Sequence, residues 1–485
     1  MAKILLKLIA FLLMLFAIIQ FVSGYISNDF GLLCVSSFVA WSAALINSLG
    51  DKKVNRIYVL FLVSFFIFLL SRIMIRWINT REIYLPFDQD VMKTVYSLLF
   101  ISTVGLFVGA TIRVTPKRYN IIEAGISREH VDNKGLQMAT GFLTMVCGVA
   151  QIVVNVEKYF FWARIGGAAG GALRISFVSS LPAVISRISY VYILMLCIYL
   201  ATLPPKKNVC FVLGEYLLIC AVKMMYGSRG DFILGLMFAF IYFTIRDNQS
   251  EKCDNKTVKW IGRTERLFIV ISIPILIILI VFISYYRIGT SFQFTSFRDT
   301  LNDFFESQGT TVDVLGYTKK YENSFPMPKQ LYLFDNTYSF LATNPLSSVL
   351  FGHHAYKVNT IERALYGTSL DQTIYYLINP ASYLMGRGCG SSYVAEAWLG
   401  YGFIGVFLIN VFLGVVINLL NDYSFNKIFN NTVAFAFLQS LYFVPRAGFD
   451  EFVGDILSVT HIISLAVVWV AYKMVMQLRR PIINE

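Results

Sequence analysis

Apolar runs, most of them about 17 to 22 residues long, recur from one end of the chain to the other. A run of that length can cross a hydrocarbon core of about 30 Å as a helix. Read with a tolerance of a few residues, the runs lie at 4–22, 31–49, 57–74, 91–110, 136–155, 185–203, 209–225, 232–245, 267–286, 397–420, 432–445 and 456–472. The pattern predicts an all-α polytopic membrane protein with about twelve transmembrane helices.

Basic residues between these runs predict the orientation. The clusters are Lys52, Lys53 and Arg56; Arg113, Lys117 and Arg118; Lys206 and Lys207; Arg246, Lys252, Lys256, Lys259, Arg263 and Arg266; and Lys473, Arg479 and Arg480. A twelve-helix alternation puts all of them on one side, which the positive-inside rule identifies as the cytoplasm. Both termini are therefore predicted to be cytoplasmic.

The same alternation places the longest hydrophilic stretch on the outer face. This stretch divides the chain into three segments. They are an N-terminal bundle of about nine helices (1–286), the large outer loop itself (287–392), and a segment of about three helices with a cytoplasmic tail (393–485). The loop contains too many aromatic residues for a solvated linker. Within it, Ser296 to Asp299 has the form of a helix-starting capping box, followed by an amphipathic pattern, so we expect short helices in the loop.

Composition narrows the chemistry. Of the 485 residues, 56% are hydrophobic and 14% are charged, so the net charge of +12 reflects membrane topology and no nucleic-acid partner is expected. The seven cysteines are scattered and the four histidines form no metal-binding motif, so neither a metal site nor another cofactor is expected. The chain lacks a phosphate-binding loop motif, which argues against an ATP-driven protein.

Two arginines stand where the positive-inside rule does not predict them. Arg229 lies in the tight turn Tyr226–Asp231 between the seventh and eighth runs, and Arg446 lies in the equivalent turn between the last two. A guanidinium at the outer boundary suits a pyrophosphate ligand. For Arg229 the alternative is a local ion pair with Asp231, and a structural role is equally open for Arg446. Arg72, Arg76, Arg81, Arg164, Arg174 and Arg187 are weaker candidates, because snorkelling explains a basic residue near a helix end.

Three residues are candidates for proton transfer. His353 and His354 follow a glycine in the outer loop, and histidine accepts a proton near neutral pH. Glu396 lies near the top of the tenth run, where a carboxylate is costly unless it is paired or functional. The alternatives are ordinary surface histidines and an ion pair of Glu396 with Arg229 or Arg446.

These features resemble the O-antigen polymerase (Wzy) family. The resemblance rests on the G-S-R-G turn at Gly227–Gly230, the long outer loop, and the re-entry from Gly390 through Glu396 to Gly402 and Gly405, in the family's usual order. The doubled His353-His354 departs from the pattern and leaves open which histidine faces the substrate.

The resemblance implies a metal-independent, inverting glycosyltransferase of the lipid-linked-sugar (GT-C) type in the bacterial cytoplasmic membrane. Its substrates would be undecaprenyl-pyrophosphate-linked repeat units, joined into O-antigen or capsular polysaccharide. Arg229 and Arg446 would bind pyrophosphate, while His353, His354 and Glu396 compete for the role of base. A chain-length regulator and a flippase would be partners.

Three other functions remain open. A flippase for the same lipid-linked sugar would have a similar helix count, although it needs charged residues along a central passage, and Lys223 is the main one here. An O-antigen ligase would share the fold and the chemistry. A membrane O-acyltransferase would use a histidine inside a helix, for which His461 is the candidate.

Overall fold

The computed structural model describes residues 2–51, 55–80, 85–112, 126–165, 177–252, 259–263, 296–343, 356–422 and 427–478, with isolated positions between 265 and 282 and at 347 and 349. Across these residues the secondary structure is helical, without a strand. In chain order the helices are α1 (Ala2–Ser27), α2 (Phe30–Leu49), α3 (Arg56–Thr80), α4 (Gln89–Thr111), α5 (Ile126–Arg164), α6 (Ala183–Ala201), α7 (Lys206–Met225), α8 (Arg229–Lys252), α9 (Phe297–Gln308), α10 (Thr311–Lys320), α11 (Asp335–Ala342), α12 (Ile361–Tyr366), α13 (Leu370–Ile378), α14 (Pro380–Leu384), α15 (Tyr393–Asp422), α16 (Ile428–Leu441), α17 (Glu451–Ile456) and α18 (Val459–Leu478).

In the described ranges, nine helices are long and apolar enough to span a membrane: α1 to α7, α15 and α18. They match nine of the twelve predicted runs. The runs at 232–245 and 432–445 correspond to α8 and α16, which are helical but are not among the nine. With 14 residues, α16 is only about 21 Å long. The run at 267–286 lies mostly outside the described residues, so the count of twelve stays a prediction.

Small residues let two helices approach closely. Gly105 and Gly109, one turn apart on α4, face α15, and a Cβ placed on Gly109 would lie 2.3 Å from the carbonyl oxygen of Val411 and 2.9 Å from Cα of Gly414. A small-xxx-small pattern permits this backbone contact, from which helices in lipid gain packing energy and weak hydrogen bonds. The pair α4–α15 therefore forms a central crossing of the bundle.

We expect Gly109→Ala to destabilise the protein by about 1–3 kcal/mol, because the new methyl group meets backbone atoms that cannot rotate away. Thermal unfolding of the purified protein in detergent measures the effect. Gly214→Ala, on α7, is the matched control, because no heavy atom lies within 4 Å of its Cβ position. Equal unfolding temperatures for the two variants would contradict the close crossing.

Helix ends that the alternation assigns to one side lie together in the structure. Lys3 Nζ donates to the carbonyl of Asp51 (2.8 Å), and Nδ2 of Asn55 donates to Oδ1 of Asn418 (3.3 Å). Asn431 Nδ2 donates to the carbonyl of Ala201 (3.1 Å). These contacts join the ends of α1, α2, α3, α6, α15 and α16 that the alternation places in the cytoplasm. The packing is thus consistent with the predicted alternation, while the side itself stays a prediction.

Helices of the loop region pack on the opposite end of α3. Ser296 Oγ accepts a hydrogen bond from the Asp299 amide (3.1 Å), so the predicted capping box is confirmed as the start of α9. The Ser71 hydroxyl donates to the carbonyl of Phe305 (3.1 Å), which brings the C-terminal turn of α9 against α3. The boundaries of the three predicted chain segments stay predictions.

Candidate functional site

Arg446 lies in a short 3₁₀ turn, Val444–Arg446, that follows α16. The Arg446 amide donates to the carbonyl of Phe443 (2.7 Å), and its guanidinium Nη1 donates to the carbonyl of Gln308 (3.1 Å) at the end of α9. The guanidinium carbon also lies 5.7 Å from the centre of the Phe68 ring. Arg446 is therefore held beside the middle of α3, at the place where α9 ends and just after the end of α16.

Glu396 lies in the first turn of α15 and is buried, with 3% of its surface exposed. Its Oε1 accepts from the Ser391 hydroxyl (2.6 Å), and its Oε2 accepts from the Phe449 amide (2.9 Å). A Cβ on Gly448 would lie 3.2 Å from Oε1, so the chain passes directly over the carboxylate. These two hydrogen bonds come from a hydroxyl and an amide rather than from an arginine, and they tie Glu396 to the turn that follows Arg446.

The turn that contains Arg229 reaches the same region. Gly227 (φ 103°) ends α7, its amide donating to Met224 (3.0 Å) while the Ser228 amide donates to Lys223 (3.1 Å). A Cβ on Gly230 would lie 3.7 Å from the ring of Phe443, three residues before Arg446. The two arginine-bearing turns are therefore neighbours. The side chain of Arg229 lies outside the described part of the structure, and its predicted role is untested.

Of the three predicted proton-transfer residues, Glu396 is the one that the structure describes. His353 and His354 lie outside the described residues, so their roles stay predictions. His461, the residue that an O-acyltransferase would need, is buried in α18, and its ring stacks on that of Tyr190 with the centroids 4.8 Å apart. Such packing is typical of a structural histidine.

Arg72 and Arg76, the weaker candidates at the end of α3, form ion pairs with the loop helices. Arg72 Nε donates to Glu306 (2.9 Å) and its Nη1 donates to Asp313, while Arg76 Nη2 also donates to Glu306 (2.9 Å). Burial raises the pKa of Asp313, and the charge of Arg72 opposes that shift. These ion pairs fix the positions of α9 and α10 against α3. They therefore also fix the position of the Gln308 carbonyl, which accepts the hydrogen bond from Arg446.

Carboxylates that sequence reasoning missed follow Arg446 directly. Asp450 is 3% exposed and accepts from the amides of Asn336 (3.3 Å) and Thr337 (2.8 Å), so it caps α11. Glu451 and Asp455 lie one turn apart on α17. The charge of Lys223 opposes the rise in the pKa of Asp455. The sequence signal that could have pointed to these carboxylates is the group of acidic residues that follows Arg446.

Burial raises the pKa of Glu451 to about 7, helped by the charge of Asp455, and raises that of Asp455 to about 6. The Glu451 side chain is exposed, so screening by solvent reduces its share of the effect on stability. A carboxyl whose pKa is raised in the folded state binds a proton more tightly there than when unfolded. Its contribution to stability is therefore present at low pH and is lost as the pH rises through the folded pKa.

We therefore expect these two groups to make the protein less stable at pH 8 than at pH 5. The double variant Glu451→Gln with Asp455→Asn removes both titrations and should reduce the difference between the two unfolding temperatures. Thermal unfolding in detergent at both pH values measures it. An unchanged difference in the double variant would show that these carboxyls titrate normally.

The comparisons with known proteins identify the family. The model of the O-antigen polysaccharide polymerase Wzy family matches residues 9–479, nearly the whole chain. Neither the search of curated proteins nor the search of solved structures gave a match. The family match and the nine apolar helices of the described ranges make this a multi-pass membrane protein of polysaccharide biosynthesis. The resemblance seen in the sequence is confirmed, and the chain belongs to the O-antigen polysaccharide polymerase Wzy family.

Proposed function

We propose that this protein joins undecaprenyl-pyrophosphate-linked oligosaccharide repeat units into a polysaccharide at the outer face of the bacterial cytoplasmic membrane. The observation that carries the proposal is the convergence of the Arg229 turn, the Arg446 turn and Glu396 at one end of the bundle, beside the loop helices. The family match supports a lipid-linked oligosaccharide as the substrate. We infer that its anionic and sugar parts bind at this convergence.

The reaction is a glycosyl transfer. A hydroxyl at the non-reducing end of one lipid-linked unit attacks the anomeric carbon of the growing chain. The new C–O bond forms as the bond to pyrophosphate breaks, undecaprenyl pyrophosphate leaves with the electron pair, and the hydroxyl proton passes to a base. A single displacement inverts the anomeric centre. Arg229 and Arg446 stabilise the negative charge that develops on the leaving pyrophosphate, and no metal is needed for that role.

Glu396 acts in this proposal as a positioning residue. Both of its oxygens accept hydrogen bonds inside the protein, and its side chain is almost fully buried, which leaves little access for a sugar hydroxyl. Its bond to Phe449 instead fixes the second half of the Arg446 turn. The base is then one of the loop histidines, His353 or His354.

Location and partners follow from the same proposal. The termini and the basic clusters lie in the cytoplasm, and the lipid-linked units arrive at the outer face through a flippase. A chain-length regulator would set the number of repeats. Ligation to the lipid A core is the second candidate, because it uses the same donor and the same leaving group.

A surface-polysaccharide gel from cells that lack the gene tests the proposal. We expect the ladder of long chains to disappear while a single repeat unit remains on the core, and a plasmid copy should restore the ladder. Loss of every repeat unit would instead indicate a ligase or a flippase.

A further inference from the structure

An apolar groove of about 470 Å³ opens between α15 and α16. One wall lies on α15 and includes Phe412 and Val416. Both residues follow Gly402 (φ 63°), where the helical backbone of α15 is interrupted. The other wall is on α16 and includes Val433 and Phe437. The residues of each wall recur at intervals of three or four, so each helix contributes one continuous face.

Among the described residues, each wall of the groove carries an exposed aromatic ring. Phe412 at one edge is 51% exposed and Phe429 at the other is 77% exposed, both on apolar helices. Over Phe412 to Leu420 the groove runs about 12 Å along α15, so it is elongated. Among the described residues that line it, Asn430 is the one polar residue. Its shape and polarity suit a linear hydrocarbon chain and exclude a sugar.

One end of the groove is built by the turn that follows Arg446. Phe449 and Phe452 line the groove, and their rings lie 6.1 Å from Phe412 and 5.3 Å from Phe437 respectively. The Phe449 amide is the donor that binds Glu396 (2.9 Å), and Arg446 lies three residues earlier. The apolar groove is therefore continuous with the polar turn, and the turn that carries the Arg446 guanidinium lies where an anionic headgroup would follow the chain.

We propose that this groove holds the polyprenyl chain of the lipid-linked substrate, with the diphosphate end at the Arg446 turn. The inference rests on the proposed function for the identity of the headgroup. Isoprene units carry flat double bonds and methyl branches that pack against the aromatic rings of the groove. Each carbon that exchanges loose contacts with lipid for close contacts with the groove strengthens binding through dispersion attraction. The acyl chains of a bilayer phospholipid are also linear, but they lack the methyl branches and the regularly repeated double bonds.

Photolabelling tests the inference without requiring turnover. The full-length protein is purified into nanodiscs of phosphatidylethanolamine and phosphatidylglycerol, and a diazirine-bearing polyprenyl diphosphate that carries no sugar is the probe. We expect adducts on α15 and α16 between residues 412 and 437, and competition by unlabelled undecaprenyl diphosphate. Adducts confined to other helices, or equal competition by excess phosphatidylglycerol, would overturn the assignment.

Groove-filling variants give the second readout. Val433→Trp and Val416→Trp fill the groove from opposite walls. Each should weaken probe binding about ten-fold, which corresponds to the loss of the contacts of roughly two CH₂ groups of the probe. Val467→Trp is the matched control, because Val467 is 50% exposed on α18, outside the groove. Thermal unfolding checks that each variant is folded. Unchanged binding in both folded groove variants would refute the proposal.

Failure of this inference and failure of the proposed function give different results. Loss of the polysaccharide ladder in the deletion strain, together with no labelling of the groove, would leave a polymerase whose lipid binds elsewhere. Labelling of the groove in the purified protein, together with a deletion strain that keeps its ladder, would support the polyprenyl site and refute the polymerase.

Discussion

Replacing either arginine of the two neighbouring turns, in Arg229→Ala or Arg446→Ala, is expected to lower the polymerisation rate by about 10²–10³-fold. The guanidinium stabilises charge that appears on the leaving pyrophosphate, so its removal slows the chemical step more than it weakens substrate binding. Turnover of purified lipid-linked repeat units measures the rate, and a polysaccharide gel reports the same loss in cells. Full-length polymer in both variants would refute the pyrophosphate role.

Two controls separate charge from structure in this experiment. Arg446→Lys keeps a positive charge but loses the planar fork, and we expect intermediate activity. Arg187→Ala removes an exposed arginine of α6 that the twelve-helix alternation also puts at the outer side. Nη1 of Arg187 lies 3.4 Å from Oγ1 of Thr460. This variant should leave the rate unchanged. Equal amounts of each variant in the membrane fraction show that insertion is intact.

Glu396→Ala is expected to abolish activity and to destabilise the protein, whereas Glu396→Gln should keep most of its turnover. Alanine leaves the Ser391 hydroxyl and the Phe449 amide buried without an acceptor, at a cost of about 1–3 kcal/mol for each unsatisfied group. A glutamine carbonyl can still accept from Phe449, and its NH₂ can donate to Ser391. The Arg446 turn would then keep its position.

The glutamine variant distinguishes positioning from proton transfer, because an amide cannot accept a proton at neutral pH. Thermal unfolding in detergent and turnover are measured on the same preparation. A Glu396→Gln protein that unfolds at the wild-type temperature but has lost its activity would show that Glu396 is the base. Single alanine variants of His353 and His354 complete the set, and the one that acts as base should lower the chemical rate.

The membrane class and most helix positions are predictable from the sequence alone. The hydrocarbon thickness sets the length of each apolar run, so nine predicted runs recur as long apolar helices of the described structure. The start of α9 at Ser296 was equally predictable, because a capping side chain acts within three residues. Short motifs in their order also identified the family, which the family match confirms.

The partners of the candidate site could not be predicted in the same way. Arg446 is held by a carbonyl 138 positions away, and Glu396 by an amide 53 positions away. Arg72 and Arg76 looked like snorkelling residues, yet they bind loop carboxylates more than 200 positions distant. The groove between α15 and α16 likewise has no sequence signal, because its walls are ordinary apolar faces.

The sequence by itself determined that this is a helical membrane protein of the Wzy family, with two arginines in turns where basic residues are unexpected. Only the tertiary structure decided that those turns adjoin each other, that Glu396 supports one of them, and that an apolar groove ends there. The physical reason is that hydropathy and capping act over a few residues. Which helices are neighbours, and which face each one presents, depends on packing across the whole bundle.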